Sequence, residues 1–230
     1  MASQFVVQTL GTVILWLLSG ALALVTALVL ATGSLHRGRA PRAAADAVIT
    51  LTRGVPTSLL VVSAGIIALG YPAPDWLPDP FPGTAHGMVL VAWAVTIALA
   101  FGSTGHFAVI FRTGYRSLGT ARHEQAYLLG LGPLRRLRLM AREAAPSTLA
   151  PTGSRLVHHL HNTAFAALFP VADLFGWVQQ RANETFDISR YAMVGVTGYV
   201  TLSLLIWALC RGLEHWLGLP ATRATRVVHA

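Results

Sequence analysis

Lysine is absent from the 230 residues, so all 17 basic residues are arginine. A phosphate-binding P-loop places a lysine on the nucleotide, and this absence excludes a standard ATP site of that kind in the polypeptide. Cysteine occurs once, at Cys210 near the end of the last apolar run. That excludes an internal disulfide and most cysteine metal sites, and leaves a packing role. Charge is scarce: 11% of residues are Asp, Glu, Lys or Arg, and only 9 are acidic. Soluble domains carry about 25% charged residues. With 54% hydrophobic residues, the expected solvent is the bilayer. There is also no Ser-His-Asp order, no paired carboxylates in a plausible pocket and no glycine-rich nucleotide loop.

What is present is a series of apolar runs: Leu10 to Ala31, Pro56 to Leu69, Met88 to Phe111, Leu156 to Val178 and Met193 to Cys210. A spanning helix needs about 20 apolar residues. The second run is short, and the fourth is interrupted by Asn162, Thr163 and Pro170. The expected fold class is an all-α integral membrane protein with about five transmembrane helices. Residues 8–217 read as one transmembrane domain and 218–230 as a disordered cytoplasmic tail. The first run lacks a basic residue before Leu10 and is longer than the core of a signal peptide, so it reads as a retained helix.

Arginine placement sets the expected orientation. Of the 17 arginines, 15 fall in alternate connections: Arg37 to Arg53, Arg112 to Arg155, and from Arg211 onward. Only Arg181 and Arg190 fall on the opposite side, which holds Asp75, Asp79, Asp173, Glu184 and Asp187. The positive-inside rule then puts the N-terminus outside and the C-terminus in the cytoplasm of a cell inner membrane. The net charge of +8 is accounted for by this topology, with no nucleic-acid partner.

The connections carry further signals. Ala43 to Thr52 reads as a helix lying along or entering the membrane, and Gly54 and Pro56 mark a bend or helix start after it. Pro72, Pro74, Pro78, Pro80 and Pro82, with Tyr71 and Trp76, describe a stiff extended external loop. From Arg112 to Pro151, short helical patterns alternate with Gly114, Gly119, Gly130, Gly132 and Pro133, forming a cytoplasmic element too short for a domain. The segment Glu124-Gln125-Ala126-Tyr127-Leu128-Leu129-Gly130, flanked by arginines, reads as a docking helix. Ala126 permits close approach, Gly130 a tight exit, and Glu124 near the helix start would complement the dipole. Arg122, Arg135, Arg136 and Arg138 are placed to meet acidic groups on a partner. The competing reading is an amphipathic helix resting on anionic lipid.

Arg53-Gly54-Val55-Pro56, Ser103-Thr104, Ile110-Phe111-Arg112-Thr113-Gly114, Glu124-Gln125-Ala126 with Gly130, and Asn162-Thr163 stand in a familiar order and spacing. The ordered set resembles the polar amino acid permeases, the histidine/glutamine/arginine group of membrane subunits of bacterial type I ABC importers, over residues 8 to 217. The resemblance implies a type I importer permease fold in which Glu124, Gln125, Ala126 and Gly130 form a coupling helix on a separate ABC ATPase subunit. It also implies a second permease subunit, in a homo- or heterodimer, and an extracellular or periplasmic solute-binding protein. No cofactor is implied. The sequence departs from the family pattern at Val109, where an acid is usual, at Gly119-Thr120-Ala121 for Pro-Lys-Gly, at Gln125 for Ala, at Arg142 for Pro, and at His161-Asn162 for Lys-Asp.

Inside the apolar runs, His106, His161, Asn162 and Thr163 are candidates to line a substrate path, since polar groups in a span face a cavity or a partner. His106 reads equally as a hydrogen-bonded packing residue. His158-His159-Leu160-His161 invites a metal reading, with His158 and His161 on nearly the same helix side and His159 pointing elsewhere. No second ligand cluster accompanies them, and no metal site is expected. Asp173 reads as a contact for a cationic substrate or as a helix cap. The functions that follow are a permease subunit for an amino acid or similar polar solute, without enzymatic activity of its own; an eroded permease kept as a membrane scaffold; or a His-cluster membrane metalloenzyme.

Overall fold

The computed structural model describes residues 2–36, 38–130 and 133–217, so the expected tail at 218–230 lies outside the described residues. Among the described residues eight α-helices follow one another: α1 (Ala2–Ser34), α2 (Arg39–Gly54), α3 (Thr57–Leu69), α4 (Val89–Ser117), α5 (Gly119–Leu128), α6 (Pro133–Asn162), α7 (Leu174–Thr185) and α8 (Ile188–Trp216). Short 3-10 turns at His86–Met88 and Thr163–Leu168 precede α4 and follow α6. There is no strand among the described residues.

Among the described residues three helices, α1, α4 with its leading turn, and α8, are long and apolar enough to cross a membrane; α2 and α3 would together supply a fourth, bent by 91° at their junction. The bend sits where Gly54 and Pro56 predict it. Proline preorganises the start of α3 but cannot continue α2, and Pro56 occupies the N-cap of α3. α4 is the central helix: 61% of its most apolar window is buried, against 28% for α1 and 11% for α8. It packs against α1, α2, α3 and α6. Leu15, Val61, Val91, Val95, Leu99 and Phe169 form one core cluster, and Ala23, Ala27, Ile49, Phe107 and Ala108 a second. α8 keeps Val196, Val200, Leu204, Leu205 and Leu209 exposed, an apolar band suited to lipid or a partner helix.

The proline-bearing connection between α3 and α4 is irregular, as expected, and it folds back onto the bundle. Trp93 donates its indole N–H to the Pro78 carbonyl at 2.8 Å, and Phe81, buried, meets the Trp93 ring edge-on at 5.4 Å.

The fourth apolar run is not one helix. α6 ends at Asn162, a 3-10 turn follows, and α7 begins only at Leu174. Pro170 explains the break: its ring forces the preceding residue out of the helical region, and Phe169 is extended at φ −126°, ψ 158°. The forty-residue cytoplasmic element is also redistributed. Residues up to Ser117 extend α4, Gly114 lies within that helix, and Pro133 onward belongs to α6. α6 therefore runs 30 residues without a break, with Pro146 and Pro151 inside it. Each proline removes one bond to the carbonyl four residues earlier. Only α5 remains as a separate short element.

Candidate functional site

α5 is 10 residues long and joins two helices of 29 and 30 residues. Glycine stands at both of its ends in the left-handed region, Gly119 at φ 75° and Gly130 at φ 62°. That conformation is open to glycine at no steric cost, and it lets the chain turn sharply into and out of so short a helix. Arg122, Glu124, Gln125 and Arg135 are exposed, as are Leu128 and Leu129, at 87% and 71%. Arg122 reaches Glu143 of α6 at 3.8 Å, a loose surface pair that ties α5 to the next helix. The Ala126 and Arg136 side chains lie outside the described residues. Contrary to the expected place of Glu124 near the helix start, the first turn of α5 contains no acid, because the helix begins at Gly119 and Glu124 falls in its middle. The helix dipole therefore does not account for Glu124.

A polar seam crosses the bundle interior from α1. Thr12, Ser19 and Thr26 recur every seven residues, two helical turns apart, and so share one face. Each bonds to a different element. Thr12 donates to the Asp173 carboxylate at 2.8 Å, Ser19 pairs with His159 Nε2 at 2.8 Å, and Thr26 pairs with Thr104 at 2.9 Å. His159 is fully buried, and its Nδ1 pairs with Ser103 Oγ, also at 2.8 Å. It thus joins α1, α4 and α6. Ser19 already donates its hydroxyl proton to the Leu15 carbonyl. With that proton on the Leu15 carbonyl, Ser19 is left to accept from His159, the arrangement that assigns the neutral tautomer with hydrogen on Nε2 and leaves Nδ1 to accept from Ser103.

Asp173, fully buried, resolves between its two readings as a cap. Its Oδ2 accepts from the Gly176 N–H at 3.0 Å at the start of α7, while Tyr199 and Thr12 donate to Oδ1 at 3.5 and 2.8 Å. The Gln8 side chain in turn accepts from the Asp173 N–H at 2.8 Å.

The four candidate pathway residues separate. Thr163 is buried and donates to the Leu160 carbonyl at 2.7 Å. Asn162, half-buried, is the last residue of α6. His161 is exposed, pairs with Ser203 of α8 at 3.2 Å and meets the Tyr199 ring edge-on. His106 belongs elsewhere, on α4 in the field of Arg53, Arg155 and His158. The three neighbouring histidines of α6 thus serve three different surroundings. Among the described residues no group of three or more His, Cys, Asp or Glu is placed to share a metal ion. Cys210 lies beside Gly153 of α6, where an added Cβ would come within 3.0 Å of its sulfur.

His159, with Ser19 and Ser103, is the polar centre that sequence reasoning passed over. Its partners are 140 and 56 residues away in the chain. The seven-residue recurrence of hydroxyls within the apolar run Leu10 to Ala31 was the available signal.

No curated protein matches the sequence. Among solved structures, the chain is similar to an amino acid ABC transporter crystallised with histidines, at TM-score 0.73 and 19% identity, covering 93% of this chain and 94% of that one. It is also similar to the MetNI methionine ABC transporter in inward-facing conformations, at TM-score 0.66 and 14% identity, covering 94% and 95%. At those identities the likeness is one of fold. The family model for the binding-protein-dependent transport system inner membrane component matches residues 5–217. An all-helical bundle with apolar spans, a short bracketed helix between long ones and a family match over nearly the whole sequence lead to one conclusion: this chain belongs to the family of binding-protein-dependent transport system inner membrane components.

Proposed function

We propose that the chain is a permease subunit which, with a second permease subunit, forms a pathway for an amino acid or similar polar solute delivered by an external binding protein. A separate ATPase drives it through α5. The observation that carries this reading is the placement of α5: a short helix set between glycines of left-handed conformation, exposing Arg122, Glu124, Gln125, Leu128 and Leu129, and leading directly into the long α6. A membrane-resting helix is expected to turn its leucines into lipid along one face. Here the exposed leucines sit together at the C-terminal end, beside charged and amide groups, as suits a cleft on another protein.

Arginine asymmetry supports an external N-terminus and a cytoplasmic C-terminus, which puts α5 on the side where ATP is available. With no lysine for a P-loop, the energy comes from another polypeptide.

Glu124→Arg tests the assignment. The side chain is exposed, so the bundle should fold unchanged while co-purification with the cognate ATPase subunit and transport are both lost. Assembly and transport at wild-type levels would remove α5 from the coupling role.

A further inference from the structure

α6 and α8 pack against each other, with Gly153 so close to Cys210 that an added Cβ would stand 3.0 Å from the sulfur. Beside that contact they part around a cavity of about 370 Å³. Small-ligand pockets start at about 300 Å³, so the space admits more than a stray water. The α6 wall is built from the small side chains of Ala150, Gly153 and Ser154, whose lack of bulk keeps the space open. The α8 wall carries Trp207, Arg211 and Glu214, which share one face at intervals of four and three residues.

The charge in this cavity is a matched pair. Arg211 Nη1 donates to Glu214 Oε2 at 3.1 Å, and the guanidinium lies 5.6 Å from the centre of the Trp207 ring. The Glu214 side chain is only 13% exposed, against 49% for Arg211. Glu214 Oε1 and Arg211 Nη2 have no hydrogen-bond partner among the described residues. A sheltered carboxylate with a free oxygen wants a further donor, and a guanidinium fork with free N–H groups wants a further acceptor. One occupant carrying both an ammonium and a phosphate would satisfy the two together.

Position along α8 says where such an occupant comes from. The helix has 29 residues and so is about 43 Å long, whereas the hydrocarbon core is about 30 Å thick. Its last turns therefore reach headgroup level. Arg211 and Glu214 lie about 8 and 3 Å from its end at Trp216, and Trp207 and Trp216 are ring systems suited to the membrane interface. The apolar side of the groove can then hold the start of an acyl chain.

We propose that the groove between α6 and α8 is a binding site for a phospholipid of the phosphatidylethanolamine type, with the phosphate on Arg211 and the primary ammonium on Glu214. An anionic headgroup would meet the Glu214 carboxylate without a cation to offset it. A choline headgroup has no N–H to give Glu214, and Arg211 already occupies a face of Trp207 that could attract it. That the lipid comes from the cytoplasmic leaflet rests on the orientation proposed above; the site itself does not.

The test reconstitutes the full-length protein in nanodiscs made of equal parts dioleoyl phosphatidylethanolamine, phosphatidylcholine and phosphatidylglycerol, and reads the retained lipid by native mass spectrometry. Phosphatidylethanolamine should be retained several-fold over the other two. Glu214→Gln should lower its preference over phosphatidylcholine by about ten-fold, the loss of one charge-assisted contact, and Glu214→Asp should keep most of it. Ser154→Trp, at an exposed position in the groove wall, should fill the space and abolish retention of that lipid, and it keeps the test decisive if the Glu214→Gln protein fails to fold. Circular dichroism verifies that each variant is helical. Equal retention of the three lipids, preference for phosphatidylglycerol, or selectivity unchanged in both Glu214→Gln and Ser154→Trp would overturn the site. A wild type that retains no lipid and loses its dimer on Ser154→Trp would give the groove to a partner subunit, and would overturn it as well.

Discussion

Replacing His159 by leucine, a residue of similar size, removes two hydrogen bonds of 2.8 Å from a position with no solvent exposure. Interhelical hydrogen bonds in membrane bundles contribute about 0.6 kcal/mol on average and up to about 1.7, so the substitution should cost about 1–3 kcal/mol. Its partners respond unequally. Ser19 keeps its bond to the Leu15 carbonyl, and Ser103 can turn back to a carbonyl of its own helix. Ser103→Ala in the wild type is different, because it leaves the imidazole Nδ1 enclosed with no donor and no local alternative. That orphaned acceptor costs about 1–3 kcal/mol. In the His159→Leu background the same Ser103→Ala change strands nothing and should cost less than about 0.5 kcal/mol. Equilibrium unfolding in mixed micelles, titrated with a denaturing detergent and followed by circular dichroism, measures all four corners of the cycle. Additivity of the two changes within about 0.5 kcal/mol would refute the claim that Ser103 and His159 act as a pair.

The tautomer assignment predicts that nitrogen NMR of labelled histidine will find the His159 proton on Nε2, and that Ser19→Ala will perturb that nitrogen. Asp173→Ala should destabilise the protein by about 1–3 kcal/mol, because it removes a helix cap and the buried acceptor of Thr12, which keeps only a longer contact to the Gln8 carbonyl at 3.3 Å; Asp173→Asn, which keeps an acceptor oxygen, should cost clearly less in the same titration. Gly65→Ala would set a methyl 2.1 Å from the Phe169 ring and should cost about 1–3 kcal/mol, with recovery when Phe169→Leu is added. Gly130→Ala forces a left-handed φ of 62° on an alanine at a cost of about 1 kcal/mol, and should reduce ATPase assembly while thermal stability of the bundle holds.

Much of the architecture was legible in hydropathy and punctuation. The runs ending at Ala31, beginning at Met88 and ending at Cys210 each lie inside a long helix, because continuous apolar sequence of that length has few other solutions. The bend at Gly54 and Pro56 and the irregular proline connection follow from the chemistry of those residues. The run from Leu156 to Val178 misled because averaging over a window hides a local event. Pro170 and the Asp173 cap end one element and begin another inside the apolar segment that follows Asn162 and Thr163. α6 was hidden for the opposite reason, since its arginine-rich first half and its two prolines look like loop, yet the helix continues through both. Arg122, Glu124 and Gly130 stood out by type and spacing, whereas His159 did not. Its significance lies in where two distant serines meet it, and beyond the seven-residue recurrence of hydroxyls in α1 that pairing leaves no trace around His159 itself.

The uninterrupted course of α6 would let it work as a lever in the coupling proposed above. From Pro133 to His159 the helix is about 39 Å long, and from His159 to Asn162 about 4.5 Å. If the helix tilts by about 10° around its tie to Ser19 and Ser103, the end next to α5 sweeps roughly 7 Å, while the end next to the broken segment moves less than about 1 Å. A large displacement at the surface thus becomes a small, forceful one in the interior. The two prolines, each lacking one backbone bond, are where such a lever would flex.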